Sequence, residues 1–360
     1  MKSLQKSGAA LLTLACAAGF GLYAAKSGDS KAAPGGGRIE RIKVHGRSLE
    51  GNLEKDPPDR NVDVYLPPGY AAKKNQRYPV LYLLHGYGRV IDTWVPFIDL
   101  PGGADRDIAA GTAKEMIVVM PDANTLYGGS MYSSSPTTGD WEGFITQDLV
   151  QYIDGHYRTI ATRDSRGLAG HSMGGYGVWR IAMKHPELYA AIYSLSPCCL
   201  MNNPQPTQNR PAAAARPAAA NGAQSQEPRD GHPVNVPYGE AAAWSPNPGN
   251  PPLYFDLPNK DGVFDAFAAA RWVANSPAAM IDQYVPNVRK YRAIAMDVGM
   301  QDTLLKSIRD FDASLTRLNI PHTFETFEGD HSNHLHDRVE QKVLPFFTKN
   351  LVFENHGAKR

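Results

Sequence analysis

Gly170-His171-Ser172-Met173-Gly174 reads G-x-S-x-G and lies between a strand candidate, Arg166–Ala169, and an amphipathic run, Tyr176–Lys184. At such a strand–turn–helix junction a serine is presented on a sharp turn, where its hydroxyl can attack an electrophilic carbonyl. The flanking glycines are needed because a side chain at either place would clash as strand and helix pass close together. A serine hydroxyl is a poor nucleophile at neutral pH. It requires a base, and the base requires an orienting carboxylate.

The order Ser, then Asp or Glu, then His directs the search to the C-terminal third. Gly329-Asp330-His331-Ser332 follows the strand candidate His322–Phe327 and precedes the last helix, so His331 can reach over the sheet edge to Ser172. His334 and His336 are rivals, better placed at the helix start. The H-x-x-H-x-H run also admits a metal reading, yet no Cys or repeated carboxylate pattern accompanies it, and neither metal nor cofactor is required. Asp302 stands just beyond the strand candidate Ala293–Val298, where open α/β sheets gather functional groups. Its competitor Asp297 lies inside the apolar run and reads as a structural carboxylate. The developing oxyanion needs two amides: that of Met173, and that of Tyr87 in the loop His85-Gly86-Tyr87-Gly88. A plain Gly-rich turn is the alternative for that loop, and His85 reads as a structural residue at a strand end. Tyr132 and Trp141, after the strand candidate Met116–Met120, are expected to contact substrate, with a core anchor an equal reading for Trp141. Asp140 reads as an N-cap.

These groups must be held by a scaffold, and the chain supplies one. Strand candidates at Arg38–Val44, Val62–Leu66, Val80–Leu84, Met116–Met120, Arg166–Ala169, Ala190–Leu195, Ala293–Val298 and His322–Phe327 alternate with helical runs at Phe144–Tyr157, Tyr176–Lys184, Thr303–Leu318 and Asp337–Asn350. Several strands are continuous apolar runs, as burial on both faces demands. The pattern predicts an α/β fold with a mostly parallel central sheet, helices on both faces and an antiparallel edge formed by the first strands.

At 360 residues and 42% hydrophobic content the chain can bury a proper core. With 37 basic against 36 acidic residues and no long basic block, nucleic acid and anionic membrane are not expected partners. Lys2 and Lys6 followed by the apolar stretch Ala9–Ala25 predict a signal peptide over 1–25, with a lipoprotein or retained anchor as alternatives and no stable membrane anchor expected. Residues 26–37 read as a flexible leader and 38–353 as the catalytic domain. Within it, 202–237 has no Leu, Ile, Met or aromatic residue and is expected to be a mobile insertion, either a surface loop or a substrate-gating lid. Trp244, Tyr254 and Phe255 should pack back on the body. The adjacent Cys198 and Cys199 read as small buried side chains, with a vicinal disulfide or redox pair as the alternative.

Three segments together resemble the putative-esterase family of α/β hydrolases: Tyr78-Pro79-Val80-Leu81-Tyr82-Leu83-Leu84-His85-Gly86, Gly170-His171-Ser172-Met173-Gly174-Gly175 and Glu328-Gly329-Asp330-His331. That family includes feruloyl esterases, S-formylglutathione hydrolase, enterochelin esterases and mycolyltransferases. The resemblance spans roughly 38–200 and 250–352 and implies an α/β-hydrolase fold. It assigns Ser172 as nucleophile, His331 as base, Asp302 as acid, and the Tyr87 and Met173 amides to the oxyanion. The expectation is an exported serine carboxylic-ester hydrolase acting through an acyl-enzyme, on small-molecule or polysaccharide-linked esters of feruloyl or acetyl type. Acyl transfer by the same triad and a non-catalytic binding protein are the alternatives, and the oligomeric state stays open.

Overall fold

The computed structural model describes residues 36–206 and 234–354; the expected signal peptide, residues 26–35 of the leader and residues 207–233 of the insertion lie outside them. Eight strands form the central sheet: β1 (Arg38–His45), β2 (Asp59–Leu66), β3 (Val80–Leu84), β4 (Ile117–Pro121), β5 (Arg166–His171), β6 (Ala191–Leu195), β7 (Ala293–Gly299) and β8 (Thr323–Phe327). They lie in the order β1-β2-β4-β3-β5-β6-β7-β8. β2 runs antiparallel to both β1 and β4, and every other pairing is parallel, so the antiparallel edge is where the sequence placed it.

Successive residues of the inner strands feed two separate cores. Tyr82, Leu84, Val119 and Leu168 point to one face of the sheet, and Leu81, Leu83, Val118 and Ala169 to the other. This period-two division explains the unbroken apolar runs. The first face is covered by α3 (residues 141–156, with a wide π turn at Phe144–Asp148), α4 (Met173–Lys184), α7 (Pro277–Val288) and α8 (Leu305–Arg317). The second carries α1 (Ile91–Ile98), α2 (Leu100–Ala110) and α9 (residues 335–350). Asp140 caps α3, its carboxylate accepting from the Gly143 amide at 2.9 Å.

Two short helices, α5 (Val236–Trp244) and α6 (Ala266–Ala274), sit between the halves of the sheet-forming sequence. Trp244 and Phe255 are buried, Trp244 packing edge-on to Trp272 and tilted against Tyr176. The predicted insertion therefore ends earlier than expected. Asn235 caps α5 by accepting from the Tyr238 amide, and Pro237 fits its first turn, so Val236 and Pro237 are helical. At the other end the Asn202 amide donates to Ser276 Oγ at 2.8 Å. Helices α1, α2, α5, α6 and α7 had no counterpart in the sequence pattern. Pro96 and Pro286 lie inside α1 and α7, Gly102 and Gly103 inside α2, and tertiary burial overrides these weak local preferences. Among the described residues no helix is long and apolar enough to cross a membrane.

Candidate active site

β5 lies between β3 and β6 and ends at His171, directly before the serine. Ser172 has φ 56° and ψ −113°, a left-handed backbone that β-carbon sterics disfavour, and α4 begins at the next residue. What holds the turn is the close passage around it. A β-carbon on Gly170 would come within 2.5 Å of Gly174, and one on Gly174 within 2.2 Å of the Leu84 carbonyl oxygen. Strand, turn and helix are thus packed backbone to backbone, and Ser172 is pushed out at the C-terminal edge of the sheet.

The structure brings the three expected side chains together. Ser172 Oγ is 2.9 Å from His331 Nε2, and His331 Nδ1 is 2.8 Å from Asp302 Oδ2. Asp302 follows β7 and His331 follows β8, and the two loops are zipped to each other. The Gln301 amide donates to the Gly329 carbonyl at 2.9 Å, and the Gly329 amide donates to Gln301 Oε1 at 2.7 Å. Burial alone pushes the Asp302 carboxyl up. The hydrogen bond and charge of His331, the Leu304 amide and the Ser196 hydroxyl outweigh it, leaving the pKa below its ordinary value. Asp302 is therefore a stable anion that fixes Nδ1 of His331 as the protonated nitrogen and leaves Nε2 free to accept from Ser172.

The Met173 amide is the first of α4, one of the N–H groups that a helix leaves without an internal partner. The Tyr87 amide lies on the loop after β3, and among the described residues it meets no backbone carbonyl. Gly86 sits against Ser172, where an added β-carbon would stand 3.2 Å from the serine Cβ. Tyr87 is anchored from its far end, its hydroxyl donating to the Tyr127 carbonyl at 2.7 Å and lying 3.1 Å from that of Asn235. His85 is structural: its Nε2 accepts from the Ala123 amide, Nδ1 donates to the Gly86 carbonyl, and burial holds its pKa down.

Two expected substrate contacts are corrected. Tyr132 is wholly buried, its ring against Gly177 of α4 and its hydroxyl donating to the His85 carbonyl at 3.1 Å, so it supports the loop from beneath. Trp141 is equally buried, with Nε1 donating to the Thr138 carbonyl, Phe144 edge-on and the Arg60 guanidinium over its ring. It is the core anchor of the two readings. The rivals stand apart from Ser172. His334 pairs with Asp337, and His336 faces Arg106 and Glu340. Asp297 is enclosed by Arg338 Nε and Nη2 at 2.9 and 2.7 Å and by the Tyr193 hydroxyl.

His171, Trp94 and Ser196 went unnoticed in the sequence. His171 Nε2–H donates to the His331 carbonyl at 2.7 Å, and its ring stacks on Trp94. Burial and the neighbouring His331 lower its pKa to about 3, so it is a neutral donor that holds the His331 loop. Its place as the variable residue of the serine motif was the only available signal. Ser196 directly follows β6 at the C-terminal edge of the sheet, a position shared with the other site residues.

A serine elbow on a mostly parallel sheet, with His and Asp on later loops at the same edge, defines an α/β hydrolase. The family model described as "Putative esterase" matches residues 57–337. The chain belongs to that family. Over 141 residues it is 36% identical to an esterase of Mycobacterium tuberculosis (strain ATCC 25618 / H37Rv), covering 38% of this chain and 28% of the relative. Over 139 residues it is 35% identical to an endo-1,4-beta-xylanase/feruloyl esterase of Xylanibacter ruminicola, covering 36% and 18%. The chain thus spans under a third of the length of these curated relatives. Among solved structures, a ferulic acid esterase superposes with a TM-score of 0.63 over 88% of this chain and 98% of its own, at 23% identity, a likeness of fold.

Proposed function

We propose that this protein is a serine carboxylic-ester hydrolase working through an acyl-enzyme. The observation that carries the reading is the hydrogen-bonded line Ser172–His331–Asp302, with its 2.9 and 2.8 Å contacts. Ser172 Oγ attacks the ester carbonyl as His331 Nε2 takes its proton, and Asp302 steadies the imidazolium. The Tyr87 and Met173 amides receive the oxyanion, and His331 returns the proton to the leaving alcohol. Water, deprotonated by His331, then attacks the acyl-Ser172 ester and releases the acid.

We assign the substrates to small and aromatic esters of feruloyl or acetyl type, free or linked to polysaccharide. Support comes from the names of the xylanase/feruloyl esterase relative and the ferulic acid esterase neighbour. The basic, then apolar N-terminus supports export.

The test is fluorophosphonate labelling of wild type and Ser172→Ala, alongside hydrolysis of p-nitrophenyl acetate, p-nitrophenyl butyrate and methyl ferulate. Labelling should vanish in the variant, and turnover should fall by about 10⁵–10⁶-fold. Well-folded wild type that neither labels nor hydrolyses any ester would overturn the reading.

A further inference from the structure

Cys198 and Cys199 lie on the loop that leaves β6, and this loop touches the site twice. The Cys198 amide donates to the Ser172 carbonyl at 3.1 Å, and the Ser196 hydroxyl bonds the Asp302 carboxylate. Consecutive side chains along a chain ordinarily diverge. Here Cys199 has φ 61°, a left-handed backbone, and its Sγ lies only 2.6 Å from Cys198 Sγ, inside van der Waals contact. A third group completes the cluster: Glu240 Oε1, on α5, is 3.4 Å from Cys199 Sγ. All three keep part of their surface exposed.

We propose that Cys198 and Cys199 are a redox couple, closed to a vicinal disulfide by a low-molecular-weight disulfide, RSSR, and that closure slows ester cleavage at Ser172. The division of labour follows from the contacts. Cys199, beside Glu240, is the resolving thiol; Cys198 loses its proton to solvent and attacks RSSR as the thiolate, giving a Cys198–S–S–R mixed disulfide and RS⁻. The Cys199 thiol then passes its proton to the Glu240 carboxylate, and its sulfur attacks Cys198 Sγ, expelling a second RS⁻. The two cysteines lose two electrons and two protons, and RSSR is reduced to two RSH.

The charges suit these roles. Contact with Cys198, burial and Glu240 keep the Cys199 thiol protonated until it is needed. Burial raises the Glu240 carboxyl to about 7, the range of a base that works near neutrality. Reversibility has a covalent origin. Neighbouring Cα atoms lie about 3.8 Å apart, closer than an ordinary disulfide spans, and a strained bridge is easily reduced. Forming the eight-membered ring must also reshape the peptide next to the amide that holds Ser172, so closure is transmitted to the nucleophile.

The test uses the full chain, incubated with oxidised glutathione, alkylated with iodoacetamide and mapped by peptide mass, which separates this pair from Cys16. The peptide bearing residues 198 and 199 should be unalkylated and lighter by two hydrogens, and dithiothreitol should restore two alkylation sites. Turnover should fall about ten- to a hundred-fold on oxidation and return on reduction, the cost of displacing a catalytic group by about an ångström. Cys199→Ser should hold the glutathione adduct on Cys198, and Glu240→Gln should slow closure at least about ten-fold. Thiols that stay alkylatable, or an adduct that never closes in wild type, would overturn the couple. Closure with unchanged turnover would overturn its hold on the site. The turnover arm rests on the esterase reading and the mass arm does not, so failure of one is distinguishable from failure of the other.

Discussion

At the scale of single residues, the proposed mechanism separates groups that would react from a group that would aim them. His171 is of the second kind. It is neutral across the working range, it donates to the His331 carbonyl while its ring lies tilted 4.7 Å from the His331 imidazole, and Trp94 keeps its ring in place. His171→Ala should lower kcat about ten- to a hundred-fold with little change in KM, because substrate still binds while His331 loses its fixed position. His171→Gln, which keeps a donor, should recover part of the loss. Steady-state kinetics on p-nitrophenyl acetate checks both, and a change confined to KM would count against this role. Ser172, Asp302 and His331, the proposed triad, were legible because each follows a strand candidate at a glycine-bearing turn or loop. His171 was not, since its role comes from a carbonyl 160 residues away.

Helix α4 carries the elbow, and α3 beside it explains how the elbow is kept still. Glu142 on α3 receives Arg180 Nε at 3.0 Å, Lys184 Nζ at 2.8 Å and His185 Nε2 at 3.0 Å, all from α4 and its end. Burial pushes the Glu142 carboxyl up, but these partners win and bring it down to about 2 from 4.5. A depressed carboxylate stabilises the fold fully above its unfolded pKa and loses that contribution as pH falls through the folded one. Glu142→Gln should therefore cost about 3 kcal/mol at pH 7, with the gap to wild type closing between about pH 4.5 and 2. Urea unfolding across that range measures it, and a gap independent of pH would contradict the assignment. Neither the ion cluster nor α1, α2, α5, α6 and α7 could be read from local pattern. Pro and Gly within α1, α2 and α7 mask their period, and the cluster unites residues some forty apart.

Across the whole molecule, the half of the sheet whose loops bear Asp302 and His331 is tied to its covering helix by one buried cation. Arg338 of α9 donates to Asp297 of β7 at 2.7 Å, to Glu325 of β8 at 3.1 Å, and lies 3.3 Å from the Tyr193 hydroxyl of β6. Arg338→Ala leaves Asp297 buried without its cation and should cost about 3–5 kcal/mol in urea unfolding. Adding Asp297→Asn should return part of that cost, since the stranded charge is removed. A loss below about 1 kcal/mol for the single variant would show that the network adds little.

Fold class, strand order along the chain, Ser172, Asp302 and a histidine cluster after the last strand were readable from local signals: apolar periodicity, a glycine-framed serine, and polar residues placed just past strands. Such signals act over a few residues and survive in a linear string. The burial of Tyr132 and Trp141, the fit of His171 to Trp94, the contact of Glu240 with Cys199 and the choice among three histidines are of another kind. Each depends on which distant segments share a surface once the sheet has closed, and burial converts a side chain able to meet substrate into one that supports the floor beneath it.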